Sequence, residues 1–313
     1  MKIMTLPEVK LSSMARLLEA EKREWIQKLN WDPSSTLQKI ETYVSSGLLP
    51  GYAAIENDEA LAYLYYVSGD GWASIGNLFI LEEDRERRIE KLLLNTALDI
   101  LQKDSEVGRI ESHCIFMGGY RVGDIFARRG FFSRRRLYMV RQPRETDLDS
   151  FTGEDMSLRP WRDAYLEEAA KTLFSSYRNG ADYRLSRCYA TTGSCLNLLE
   201  NIVYRSSIGQ FEPNSSFVSF KENHKLTGFI LGSTIGRLQG HVVQIAVHPM
   251  EQGKGVGKRL IAALLKSFLQ KNYRTVSLSV TEENTKALLW YVRLEFKTAL
   301  NYPIFLWSRH SVS

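Results

Sequence analysis

Apolar residues recur at helical spacing twice near the start of the chain, over about 11–29 and 34–46, and the period then shortens to two. Strands are expected at 51–56 and 61–67, paired around Asn57-Asp58, and at 72–81 after the turn Ser68-Gly69-Asp70-Gly71. A helix follows at about 84–102. The second half repeats this succession. A short strand opens it at Leu158-Arg159-Pro160-Trp161. A helix then runs to about Arg178, with Asp163 as its expected cap and Leu166, Ala170, Leu173 and Tyr177 on its apolar side. A second helix is expected at about 195–207. Strands at 216–221 and 226–235 flank a turn at Asn223-His224, and a third strand covers 242–247. A long helix at 254–270, a strand at 275–280, a helix at 284–293 and a strand at 302–307 complete the pattern. The repeat has domain length, which predicts two α/β domains in tandem.

Composition agrees with that division. A chain of 313 residues suits two domains, and 44% hydrophobic with 25% charged residues is the balance of a globular protein. Residues 142–157 (QPRETDLDSFTGEDMS) are polar and acidic and read as the linker between a domain at 1–141 and one at 158–313. No apolar run is long enough to cross a membrane, and the start of the chain lacks a signal-peptide core. Cys114, Cys188 and Cys195 form no C-x-x-C pair, so no metal site is expected and a cytoplasmic location fits. Residues 1–150 carry 21 Lys+Arg against 23 Asp+Glu, while residues 151–313 carry 20 against 13. The second half therefore attracts anions.

The sharpest chemical signal lies there. Residues 247–258 read Val247-His248-Pro249-Met250-Glu251-Gln252-Gly253-Lys254-Gly255-Val256-Gly257-Lys258, a strand end, a glycine-rich loop and a helix start. Glycines let backbone approach a ligand, and the unpaired N–H groups of a helix start favour an anion such as a pyrophosphate. Lys254, Lys258 and Arg259 add charge. The P-loop pattern fails at Gln252 and Arg259, and the dinucleotide pattern fails at Lys258. What remains, Q-x-x-G-x-G after L/I-x-V-x-P, resembles the acetyl-CoA loop of the GNAT superfamily of N-acetyltransferases. The stretch from Asn284 through Ala287 and Tyr291 to Phe296 looks like that family's second signature, with Glu295 where a glycine is usual.

The resemblance implies two GNAT-like α/β (α+β) domains, each with a mixed, mostly antiparallel sheet flanked by helices. It implies acetyl-CoA bound by the backbone of Ile245, Ala246 and Val247 and by Gln252, Gly253, Lys254, Gly255, Val256, Gly257 and Lys258. Asn284 would cap its helix and face the pantetheine arm, Ala287 would give a small packing surface, and Tyr291 would protonate the departing thiolate. The acceptor is expected to be an amine on a small molecule or peptide, shaped by residues 179–194 (Tyr183, Arg184, Arg187, Tyr189). The general base is the weak point, because Gln244 stands where relatives carry Glu. Glu212, Glu282, Glu283 or a water are the remaining options, and His248 reads as a turn residue.

Shifting the first half by 167 places Glu86, Arg88 and Glu90 on Gly253, Gly255 and Gly257, and a shift of 165 places Phe126 on Tyr291 and Gly119 on Asn284. Carboxylates oppose an anion site, so the first domain reads as a degenerate copy. The basic cluster at 128–136 reads as a solvated edge. Neither nucleic acid nor a membrane is expected as partner, and a homodimer is left open. The competing readings are an acyl-CoA sensor without turnover and an interaction module that binds no CoA.

Overall fold

The computed structural model describes residues 1–113, 115, 122–145, 158–178, 180–221 and 225–309. Cys114, Gly119, Asn179, the Asn223-His224 turn and most of the expected linker lie outside the described residues. The strands are β1 (Lys2–Thr5), β2 (Gly51–Glu56), β3 (Glu59–Gly69), β4 (Trp72–Ile80), β5 (Arg109–Ser112), β6 (Phe132–Arg141), β7 (Leu158–Pro160), β8 (Gln210–Phe211), β9 (Phe217–Phe220), β10 (Leu226–Gly236), β11 (Gln239–Val247), β12 (Thr275–Thr281) and β13 (Lys297–Ser308). The chain divides into two compact units. The first holds residues 1–29, 33–136 and 301–313, and the second holds 30–32 and 137–300.

In the first unit the hydrogen-bonded order is β1-β2-β3-β4-β5, closed by residues 305–308 of β13; β4 and β5 run parallel, and β1-β2, β2-β3, β3-β4 and β5-β13 antiparallel. Asn57 and Asp58, both at positive φ, turn β2 into β3 as their small polar side chains allow. The Leu11–Leu29 and Ile89–Lys103 helices pack on this sheet, in the places the apolar periodicity assigned. In the second unit the order is β6-β12-β11-β10-β9-β7, with β8 added to β10. One face carries the Val256–Gln270 helix through Leu260, Leu264 and Phe268. The other carries the Leu166–Tyr177 and Thr192–Val203 helices around Leu173, Leu199 and Phe229.

Three local expectations change. The strand expected at 302–307 is longer, and its end closes the first unit rather than the second. Phe305 stacks on Phe126 at 4.0 Å, and the Arg309 guanidinium donates to the carbonyls of Val107 and Gln102. Conversely Leu137 and Met139, near the end of the first half, lie in the second unit's core, where Tyr138 OH accepts from Gln239 at 2.8 Å. Asp163 caps nothing: it sits inside a 3-10 turn, and its carboxylate accepts from Tyr204 OH at 3.1 Å.

Glu21 is buried in the first unit, with 2% of its surface exposed. Its carboxyl accepts from Tyr63 OH (2.6 Å), Asn77 Nδ2 (2.7 Å) and Trp25 Nε1 (3.2 Å). Burial outweighs these bonds and pushes its pKa up to about 7. The folded chain therefore keeps a proton that the unfolded chain has released. Its stabilising effect is complete below the ordinary carboxylate range and is lost as pH rises to 7, at most about 3 kcal/mol. Hydrogen exchange of the Leu11–Leu29 amides is expected to speed up between pH 5 and pH 8 beyond the intrinsic rate, and Glu21→Gln to remove that excess. Parallel pH profiles for the two proteins would show that Glu21 does not titrate in this window.

Candidate functional site

β11 and β12 are parallel neighbours for four residue pairs only, from Gln239 opposite Thr275 to Val242 opposite Leu278. Beyond that point β11 continues to Val247 with no partner strand on this side among the described residues. His248 N–H donates to Thr227 O at 2.8 Å, and the β10 register places Ala246 opposite Phe229. Hydrogen-bonded and non-bonded pairs alternate in an antiparallel ladder. The polar backbone of Ala246 therefore belongs to the β10 ladder, while the N–H and C=O of Ile245 and Val247 face the gap. Of the three expected backbone contacts, the geometry leaves Ile245 and Val247.

The glycine loop closes the end of this gap. His248 Nδ1 accepts from Met250 N–H at 3.3 Å, so His248 holds the turn. Gln252 Nε2 donates to Val247 O at 3.2 Å and ties the loop to the strand end. Gly253 and Gly255 have φ of +80° and +85°. A Cβ on Gly253 would touch nothing within 4 Å, so conformation rather than room requires glycine there. Gly255 is the N-cap of the Val256–Gln270 helix and offers no capping side chain. Val256 buries its side chain in the core and presents only its backbone. Gly257 meets the Trp290 ring at 3.5 Å from the place of a Cβ, which brings the loop against the Thr285–Arg293 helix. Lys254 leans on Glu251 at 3.3 Å, and Glu251 also holds Lys221 at 2.7 Å. Lys258 is exposed at the helix start.

The Thr285–Arg293 helix is capped as expected, with Asn284 Oδ1 accepting from Ala287 N–H at 3.3 Å. Tyr291 is buried between Trp290 and Phe296. Glu295 takes the left-handed conformation a glycine would prefer, at φ +64°, and Arg144 holds its carboxylate at 2.6 Å. The face of β11 towards the Leu166–Tyr177 helix holds a polar cluster in which Gln244 and Tyr189, both singled out from sequence, meet Tyr177, which periodicity had treated as core. Gln244 Nε2 donates to Tyr177 OH at 2.7 Å, and Gln244 Oε1 accepts from Tyr189 OH at 3.3 Å. The two phenol rings stack at 4.2 Å, and Ser176 Oγ donates to Val247 O at 2.7 Å. The Tyr177 phenol is held well above the usual tyrosine range, first by burial and then by neighbouring Tyr189, Asp182 and Tyr291. Only the rule that a buried hydroxyl needs a partner could have flagged Tyr177 from sequence. Glu212 is removed as a base: Lys271 and Thr234 bind its carboxylate at 2.7 and 2.9 Å, and Thr234 pairs with Gly240 at the far end of β11.

The first unit repeats this frame. Its parallel pairing stops at Ile75 opposite Ser112, and its β3–β4 register slips past Gly76 as the β10–β11 register slips past Val243. Both features coincide with those of the second unit after a shift of 167. Arg88 adopts the left-handed N-cap position of Gly255, at φ +56°. Arg87 is tied to Glu56 and Asp84 at 2.8 and 2.9 Å, and Glu90, in the place of Gly257, is buried. Among the described residues no group of three or more His, Cys, Asp or Glu is arranged to hold a metal, and no helix is long and apolar enough to cross a membrane.

Residues 185–296 match the model of the Acetyltransferase (GNAT) family. A 77-residue stretch is 31% identical to an acetyltransferase of Pectobacterium atrosepticum, spanning 24% of this chain and about half, 55%, of that protein. Mycothiol acetyltransferase of Saccharopolyspora erythraea is 23% identical over 262 residues, 80% of each chain. Among solved structures, a GCN5-related N-acetyltransferase from Sphaerobacter thermophilus superposes with a TM-score of 0.66 at 15% identity, covering 98% of this chain and 95% of its own. A tandem GNAT protein from the clavulanic acid biosynthesis pathway gives 0.57 at 14% identity, covering 85% and 84%. The matched residues hold the parted strands, the glycine loop and the Tyr291 helix together, and it is this stretch of the second unit that is similar to GNAT acetyltransferases.

Proposed function

We propose that the second unit is an acetyl-CoA-dependent N-acetyltransferase acting on a primary amine of a small molecule or peptide, and that the first unit is a degenerate copy that binds no cofactor. One observation carries this reading. A strand that has parted from its parallel neighbour, with the backbone of Ile245 and Val247 turned to the gap, runs straight into an uncapped, glycine-lined helix start. The arrangement fits an extended amide chain ending in a pyrophosphate. Backbone N–H groups of residues 253–258, with Lys254 and Lys258, would hold the phosphates. Val247 O already has two donors, and Ile245 O has longer contacts from Tyr177 OH (3.5 Å) and Gln244 Nε2 (3.4 Å), so the N–H groups of both residues, and Ile245 O once those long contacts give way, would serve the pantetheine amides. Asn284 and Ala287 flank the same path.

Acetyl-CoA supplies the activated acetyl group when bound. The chain's own part is to orient it, to exclude water and to move two protons. A backbone N–H of the parted strand can hydrogen-bond the carbonyl oxygen as charge develops on it. Tyr291, buried and on the helix that packs on the loop, donates its phenol proton to the departing sulfur. An alkyl amine is neutral in roughly one molecule in a thousand at pH 7, so the attacking nitrogen needs a proton acceptor. Gln244 cannot be one: an amide has no basic site at neutral pH, and both ends are held by phenols. That fact favours the second reading, a sensor that binds acyl-CoA without turnover.

Calorimetric titration of acetyl-CoA is expected to show one site per chain. Gly257→Glu is the variant of choice, because the position has ordinary helical φ and a carboxylate in a first helical turn does not destabilise the helix. It is expected to weaken binding at least tenfold with an unchanged melting temperature. Two sites per chain would sink the degenerate-copy reading. With spermidine, glucosamine, a lysine peptide and a free-N-terminus peptide as acceptors, Tyr291→Phe is expected to lower kcat about 10²-fold without changing acetyl-CoA affinity. Binding without turnover on every acceptor would favour the sensor.

A further inference from the structure

The proton acceptor that Gln244 cannot be has a counterpart elsewhere in the second unit. Asp182 lies in the short Ala181–Leu185 helix, five residues beyond the end of the Leu166–Tyr177 helix. Its Oδ1 accepts from Thr281 Oγ1 at 2.5 Å. Thr281 is the last residue of β12, three residues beyond the point where β12 leaves β11. Asp182 is thus fixed to one arm of the parted strands. It also neighbours the Tyr177 phenol closely enough to help hold that phenol protonated. Tyr177 in turn reaches the other arm, where its hydroxyl accepts from Gln244 Nε2 and lies 3.5 Å from Ile245 O. Tyr291 bears on the same phenol. The Asp182 carboxylate therefore belongs to the ring of polar groups around the gap in which Ile245 and Val247 expose their backbone. It is half-buried, and its Oδ2 has no hydrogen-bond partner among the described residues. Glu212 is committed to Lys271 and Thr234 at the far end of β11.

We propose that Asp182 is the group that receives the acceptor's proton, its Oδ2 taking an N–H proton directly or through one water as the amine attacks. This rests on the acetyltransferase reading above. In the step, the C–N bond to the acetyl carbon forms and the C–S bond breaks. One proton passes from nitrogen to Asp182, and one passes from Tyr291 to sulfur. Asp182 then returns its proton to solvent through its exposed side, and Tyr291 regains one. The products are the amide and free CoA. Thr281 fixes the carboxylate's orientation. Tyr177 takes no part as a base, because burial keeps it neutral; it and Tyr189 hold Gln244 as a wall of the acceptor pocket.

The test uses the full chain, acetyl-CoA and the same four acceptors. Asp182→Asn keeps an acceptor for Thr281 and removes only the basic oxygen. It is expected to lower kcat by about 10²-fold or more, with acetyl-CoA affinity and melting temperature unchanged. Asp182→Ala is expected to be equally slow and to regain turnover severalfold in added formate, a recovery that a purely structural role would not produce. Asparagine at wild-type kcat, or an alanine variant unmoved by formate, overturns the proposal while leaving the acetyltransferase reading intact. A wild type inert toward all four acceptors overturns both.

Discussion

Four pairs of residues hold β11 to β12, and then the two strands separate. Inside a protein, unpaired backbone N–H and C=O groups are costly unless something else satisfies them. The second unit meets this constraint at two carbonyls from its own side chains: Ser176 and Gln252 donate to Val247 O, and Tyr177 and Gln244 donate at longer range to Ile245 O. The placement of the other parts follows. The loop must turn immediately after Val247, which requires residues at positive φ. The helix it starts has no capping side chain at Gly255, and the Tyr291 helix packs against that start, where Gly257 lies against the Trp290 ring.

The same separation occurs in the first unit at the equivalent residue, and so does the β-bulge one position further on. What differs is the chemistry hung on the frame. Arg88 holds the backbone shape of Gly255 despite the cost of a left-handed non-glycine residue, roughly 1 kcal/mol. Surrounding arginines are consumed by Glu24, Glu56 and Asp84. On the other side of β4, a carboxyl–phenol–amide cluster (Glu21, Tyr63, Asn77) occupies the region where the second unit has Tyr177 and Gln244.

Local order was legible in the sequence because it follows from periodicity and turn chemistry. The helices at 11–29 and 256–270 and the Asn57-Asp58 hairpin are set by residues adjacent in the chain. The glycine loop and Asn284 cap were legible for the same reason. Two things were not. An alternating pattern says that a strand forms but not which edge it joins, so residues 301–308 read as the end of the second domain when they close the first. The pairings of Tyr177 with Gln244 and of Asp182 with Thr281 join residues 67 and 99 positions apart. Nothing in the local pattern of a helix end marks a phenol or carboxylate as destined for such a partner.

The closing strand has a consequence for how the polypeptide matures on the ribosome. Strand β5 emerges complete at Ser112, but its antiparallel partner is not synthesised until residues 305–308. At about 5–20 residues per second, that interval is on the order of 10–40 s. During it, the nascent first unit presents an open sheet edge at β5, the kind of edge that pairs with whatever strand arrives. The unit made first thus waits for a strand translated after the second unit, and its cooperative stability is tied to residues 305–308.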